Sequence, residues 1–136
     1  MIYFIDTNCF LSYFLNRDLS QQLIVTKLFQ KALQNKIRLT TSTLVFFEVY
    51  WTLKSFYNLP FPIVKKTMTQ LANLSFIDID NRDLLIQSLS LFTSYSMGLD
   101  DCCHLAFAKS NQANSVATFD QRLKSSFSKL RKISEK

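Results

Sequence analysis

The sequence is short of the residues that make tight turns. It has one glycine, Gly98, and two prolines, Pro60 and Pro62. An all-β protein joined by hairpins draws heavily on both, so that class is excluded. Histidine is equally scarce. His104 is alone, which rules out any mechanism needing two imidazoles. The three cysteines, Cys9, Cys102 and Cys103, form an odd set with no CxxC spacing, and neighbours 102 and 103 cannot chelate one ion from the same helix face. Free, reduced thiols are expected rather than a disulfide framework or a zinc site. No apolar run reaches the roughly eighteen residues of a membrane span. The apolar opening MIYFI has no basic segment before it and is cut short by Asp6, so no signal peptide is expected. The expected location is the cytoplasm, with no membrane association.

What remains is a chain of 136 residues, 48% hydrophobic and 19% charged. That is the composition of a folded domain, and the length suits a single one over residues 1–136. The net charge of +6 permits a polyanionic partner. Beyond Asp120 the chain carries Arg122, Lys124, Lys129, Arg131, Lys132 and Lys136 against one acid, Glu135. Both a solvated tail and a phosphate-binding surface fit that run.

Apolar periodicity alternates between strand and helix. MIYFI reads as a buried strand, followed by a short helix over about residues 9–15. SQQLIVTKLFQKALQNK carries a helical stripe with Asp18 or Ser20 as its N-cap. IRLTTS is a second strand, and Thr41 or Ser42 caps the helix STLVFFEVYWTLKSFYN. Pro62 suits the first turn of the helix IVKKTMTQLANL. FIDI is a third strand, and Asp80 caps the helix NRDLLIQSLSLF, which Gly98 closes as a C-cap. DDCCHLAFAKSNQA is a further helix with its acids at the favourable end. SVATF reads as a fourth strand, QRLKSSFSKL as a helix, and a fifth strand includes Lys132 and Ile133. Strands alternating with helices and lacking hairpin turns predict a parallel sheet of four to five strands with helices on both faces, an α/β fold.

There are ten acids in all. Asp6 and Asp120 follow strands at the edge where open α/β sheets bind ligands. Asp100 and Asp101 open a helix. Glu48, one of two glutamates, lies inside LVFFEVYWTL with mostly apolar neighbours at helical spacing, so it needs a partner. Singly, each aspartate also reads as a cap, a helix-start charge or a turn residue. A mid-helix glutamate has no such reading. Taken together, the four predict one acidic pocket, and clustered carboxylates favour a divalent cation.

FIDTN, FFEV, DDCCHLAFA and VATFD, in this order and at these spacings, resemble the PIN domain. The likeness is closest to the ribonuclease toxins of VapC-type toxin–antitoxin pairs and runs from Met1 to about Phe127. The resemblance implies a single-domain three-layer α/β/α fold. It also implies that Asp6, Glu48, Asp101 and Asp120 are both catalytic and metal-holding, with Asn8 and Thr118 in support. Whether Asp100 shares the role of Asp101 is left open by the doubled acid. Cys102–Cys103 depart from the Ala-Leu or similar pair usual in the family but leave the acids intact.

Oxygen ligands favour Mg²⁺ or Mn²⁺ over zinc. The resemblance implies metal-dependent endoribonuclease activity on an RNA phosphodiester, leaving a 5′-phosphate. It also implies a cognate antitoxin and often a toxin homodimer, with which exposed Phe14, Leu15 and Phe56 would be compatible. Tyr13, Phe14 and Tyr95 read more readily as core than as base-stacking platforms. Phosphotransfer through an Asp6 nucleophile would want a second acid where Asn8 stands, and a phosphoacceptor receiver an acid pair after the first strand. The alternative retained is a non-catalytic PIN-like module that binds RNA or protein.

Overall fold

The computed structural model describes residues 1–134. The chain divides into two compact units, Met1–Arg82 and the residues from Asp83 onward.

The first unit holds a parallel sheet of β1 (Ile2–Phe4), β2 (Arg38–Thr41) and β3 (Ile77–Ile79), in the order β1-β2-β3. Tyr3 pairs with Leu39, and Leu39 with Ile77. Parallel neighbours cannot be joined by a tight turn, so helices make the crossings. These are α1 (Thr7–Phe14) and α2 (Leu19–Leu33), then α3 (Thr43–Trp51) and α4 (Phe61–Ala72). α3 runs on into a π-helical turn over Thr52–Phe56.

Local chemistry explains where these helices start. Asp6 accepts from the Thr7 amide, Asp18 from that of Gln21 and Ser42 from that of Val45, while Pro62 sits in the first turn of α4. Asn35, Asn58 and Asn81 take the left-handed conformation, which asparagine tolerates better than most residues. In this glycine-poor chain they do the turning. The core is aromatic. Phe29 of α2 meets Phe10, Tyr13 and Phe76 at ring separations of 6.3, 4.7 and 5.3 Å. Tyr13 is therefore a core packing residue.

Two expectations in this unit are corrected. β1 is not buried: Ile2, Tyr3 and Phe4 are exposed, and burial begins at Ile5. Among the described residues β1 is an edge strand, hydrogen-bonded to a neighbour on one side only, so its apolar run does not become core. Asp80 turns back to α3, accepting from the Thr43 amide at 2.7 Å and from the Thr43 hydroxyl at 3.0 Å. The first amides of α3 lack intrahelical partners, and Asp80 satisfies that of Thr43.

The second unit is helical: α5 (Arg82–Ser94, beginning on the last residue of the first unit), α6 (Leu99–Ser110) and α7 (Gln121–Ser134). Leu105, Leu123, Phe127 and Leu130 form its core, with Leu91, Met97 and Val116 packed against it. Gly98 has φ −63° and ψ 156° and precedes α6 as its N-cap. It does not close α5, because it lacks the left-handed conformation of a C-cap.

The sheet has three strands among the described residues, not four to five. SVATF keeps the alternation of a strand, with Val116 and Thr118 half-buried and Ala117 and Phe119 exposed, but has no ladder partner. Lys132 and Ile133 belong to α7. The stripe Leu123, Phe127 and Leu130 carries the helix through them. Lys136 lies outside the described residues. The α/β class with a parallel sheet stands.

Candidate active site

Asp6 ends the first strand segment, where the Ile5 amide still donates to the Thr40 carbonyl at 2.7 Å. The backbone turns there into α1, and the Thr7 amide donates to Asp6 Oδ1 at 2.5 Å. Capping and ligand presentation are thus compatible roles. Oδ1 is committed to the helix, and Oδ2 has no partner among the described residues.

Glu48 finds the partner its apolar helix demanded. The hydroxyl of buried Thr7 donates to Glu48 Oε2 at 2.6 Å. Asp6 and Glu48 therefore line one cavity of about 360 Å³, with Thr7 between them in sequence and in bonding. The Thr52 hydroxyl donates to the Glu48 carbonyl at 2.7 Å. It does so where α3 widens into the π turn, and such back-bonding is a recognised cause of helix distortion.

Asn8 holds a cation. Arg17 Nη2 donates to the Asn8 carbonyl at 2.9 Å, and its Nε and Nη2 both reach Ser12 Oγ. Arg17 lines the same cavity as the two acids. Sequence reasoning missed it. The available signal was position: it is the first cation of the chain, between two capping aspartates.

In the second unit Asp100 and Asp101 lie in the first turn of α6. Asp120 caps α7, accepting from the Arg122 and Leu123 amides at 3.0 and 3.1 Å. Thr118 supports it, taking the Asp120 amide on its hydroxyl at 3.0 Å. Burial, followed by the charge of Asp100, raises the proton affinity of Asp101. Asp120 adds to the effect, while His104 and Arg122 oppose it. His104 itself is exposed. Cys9, Cys102 and Cys103 are free thiols. Burial pushes the Cys102 thiol up to about 12 and raises that of Cys103, so neither is poised as a nucleophile at neutral pH.

The donor chemistry, carboxylates with supporting hydroxyls, fits a hard divalent cation. Among the described residues, no three His, Cys, Asp or Glu side chains are grouped so as to hold one. No helix among them is long and apolar enough to cross a membrane.

Comparison with protein families matches the PIN domain over residues 3–128. The match spans nearly the whole chain, and the protein belongs to the PIN domain family. PIN domains are commonly nucleases and typically use divalent metal ions, so membership supports a hydrolase acting on nucleic acids. No curated protein matches the chain.

Proposed function

We propose that this single PIN domain, residues 1–136, is a Mg²⁺- or Mn²⁺-dependent endoribonuclease and the toxin of a VapBC-type pair. The observation that carries the nuclease reading is the placing of Asp6 and Glu48, distant in sequence, on one cavity. Asp6, Glu48, Asp101 and Asp120 are the residues proposed to hold the ion, directly or through water. When bound, a divalent cation supplies charge to a phosphoryl oxygen and makes a water easier to deprotonate. The chain's own groups prepare for this. Thr7 restrains the Glu48 carboxylate, the α1 amide orients Asp6, and the α7 amides with Thr118 orient Asp120. Positive charge near Asp101 would relieve the repulsion that favours its protonated form. A cognate antitoxin, a toxin homodimer and a cytoplasmic setting belong to the same reading and follow from the likeness of the motifs.

A non-catalytic PIN-like module that binds RNA or protein is favoured by one observation, the lack of any three grouped metal-binding side chains among the described residues. The experiment that separates the two is cleavage of end-labelled single-stranded and structured RNAs with Mg²⁺, Mn²⁺ or EDTA. Cleavage is expected with either metal and none with EDTA. Asp6→Asn, Glu48→Gln and Asp101→Asn should each lower the rate at least about a hundredfold, because a misplaced ion misplaces the water as well. Folded, partner-free protein that binds RNA and cuts none of the panel would establish the binding module.

A further inference from the structure

The cavity that Asp6 and Glu48 line is also walled by a cation and two aromatic rings. Among the described residues Arg17 is the only Lys or Arg lining it, and Phe56 and Tyr57 belong to its wall. The guanidinium is held in place by neutral acceptors, the Asn8 carbonyl, Asn8 Oδ1 and Ser12 Oγ, and it makes no salt bridge among the described residues. Ser12 is itself buried and fixed by its own bond to Gln21 Oε1 at 2.8 Å. Nη1 has no hydrogen-bond partner among the described residues. The adjacent carboxylate of Asp18 is occupied by the Gln21 amide and the Ser20 hydroxyl. Arg17 is thus a pre-positioned cation that forms no ion pair among the described residues, an arrangement suited to a phosphate.

The aromatic pair is equally unusual. Phe56 is 77% exposed, although it stacks edge-on against Tyr57 at 5.0 Å. A free phenyl ring on a cavity wall offers its face to a planar ligand. The π turn places it there. The Tyr57 amide donates to the Thr52 carbonyl, five residues back, and left-handed Asn58 then ends the helix. One extra residue per turn shifts Phe56 and Tyr57 from where regular α-helical spacing would put them. A second cavity of about 420 Å³, lined by Asn8, Arg17, Asp18 and Gln21, shares Asn8 and Arg17 with the first.

The geometry points to a nucleotide subsite built by Arg17, Phe56 and Tyr57 for one unpaired residue of an RNA strand. The guanidinium takes its phosphate and the aromatic pair takes its base, which lays the strand across Asp6 and Glu48. Stacking without base-edge hydrogen bonds makes the subsite tolerant of sequence and intolerant of duplex, because a paired base has no free face. The inference rests on the nuclease reading and adds the part of the site that holds substrate.

The test is fluorescence anisotropy with a short fluorescein-labelled oligouridylate, titrated across salt concentrations in EDTA so that no strand is cut. Arg17→Gln retains a long side chain able to donate to Ser12 and Asn8, and circular dichroism checks its fold. It should weaken binding about tenfold and flatten the slope of log affinity against log salt by about 0.7, one phosphate contact on a single strand. Phe56→Ala should weaken binding roughly five- to a hundredfold with the salt slope unchanged, and Phe56→Trp should retain affinity. Wild-type affinity in both Arg17→Gln and Phe56→Ala would overturn the subsite while leaving RNA cleavage standing. It would assign the exposed ring to a protein partner instead. Wild-type protein that binds no oligouridylate at all would overturn both the subsite and the ribonuclease reading.

Discussion

Thr7 donates its hydroxyl to Glu48 at 2.6 Å, joining the first turn of α1 to the middle of α3 across 41 residues of sequence. Each residue settles a problem for the other. A half-buried carboxylate on an apolar helix needs a donor, and a buried hydroxyl needs an acceptor. Thr7 also supplies the amide that orients Asp6, so one residue sets the position of two acids.

Thr7→Val tests that linkage with little change of shape. It leaves the Thr7–Asp6 amide bond in place and removes the donor to Glu48. Stability should fall by about 1–3 kcal/mol, the cost of an unsatisfied, partly buried acceptor. Thr7→Ser should recover most of it. Thermal melts of the three proteins in EDTA check this, and a Thr7→Val protein as stable as wild type would show that Glu48 is satisfied by water.

Asp101 sets a pH dependence. Burial, then Asp100, holds its carboxyl above the ordinary range, so the folded chain keeps the proton longer than the unfolded chain. Between the two pKa values the unfolded state binds fewer protons, and stability falls as pH rises. This contribution is fully present below the ordinary aspartate value of about 3.9 and is lost as pH rises through the folded-state value. Metal-free Asp101→Asn should therefore melt higher than wild type at neutral pH, with the gap closing toward about pH 4. Melts across pH in EDTA measure it. A variant that is less stable at every pH would show that the carboxylate is held by favourable contacts.

The buried thiols follow the same sign at higher pH, because burial keeps them neutral in the folded chain. With Cys102 pushed up to about 12 by burial and Cys103 also raised, iodoacetamide at pH 8 should label half-buried Cys9 in the native protein and all three cysteines in urea. Unfolded thiols ionise near about 8.5. The unfolded state loses these protons first, so stability should decline as pH climbs above that value. Intact-mass spectrometry counts the labels. Rapid native labelling of Cys102 would mean that α6 opens readily.

Helix starts were legible in the sequence because a cap is decided within three or four residues. Asp18 at α2, Ser42 at α3 and Pro62 in α4 act where their neighbours indicate. The alternation of strand and helix, the parallel sheet and the need of Glu48 for a partner were legible for the same reason. Each follows from apolar spacing or from the cost of burying a charge. What required the folded chain was the choice among distant partners. Asp80 had unsatisfied helix amides available on either side and went back 37 residues to Thr43. MIYFI and SVATF have strand composition, but composition does not state how many neighbours a strand will have, and so, among the described residues, β1 is an exposed edge and SVATF joins no ladder. Arg17 and Phe56 were invisible as a pair because nothing local relates a loop arginine to a ring 39 positions later. The packing of α1 against α3, and the π turn that follows α3, bring them to one cavity.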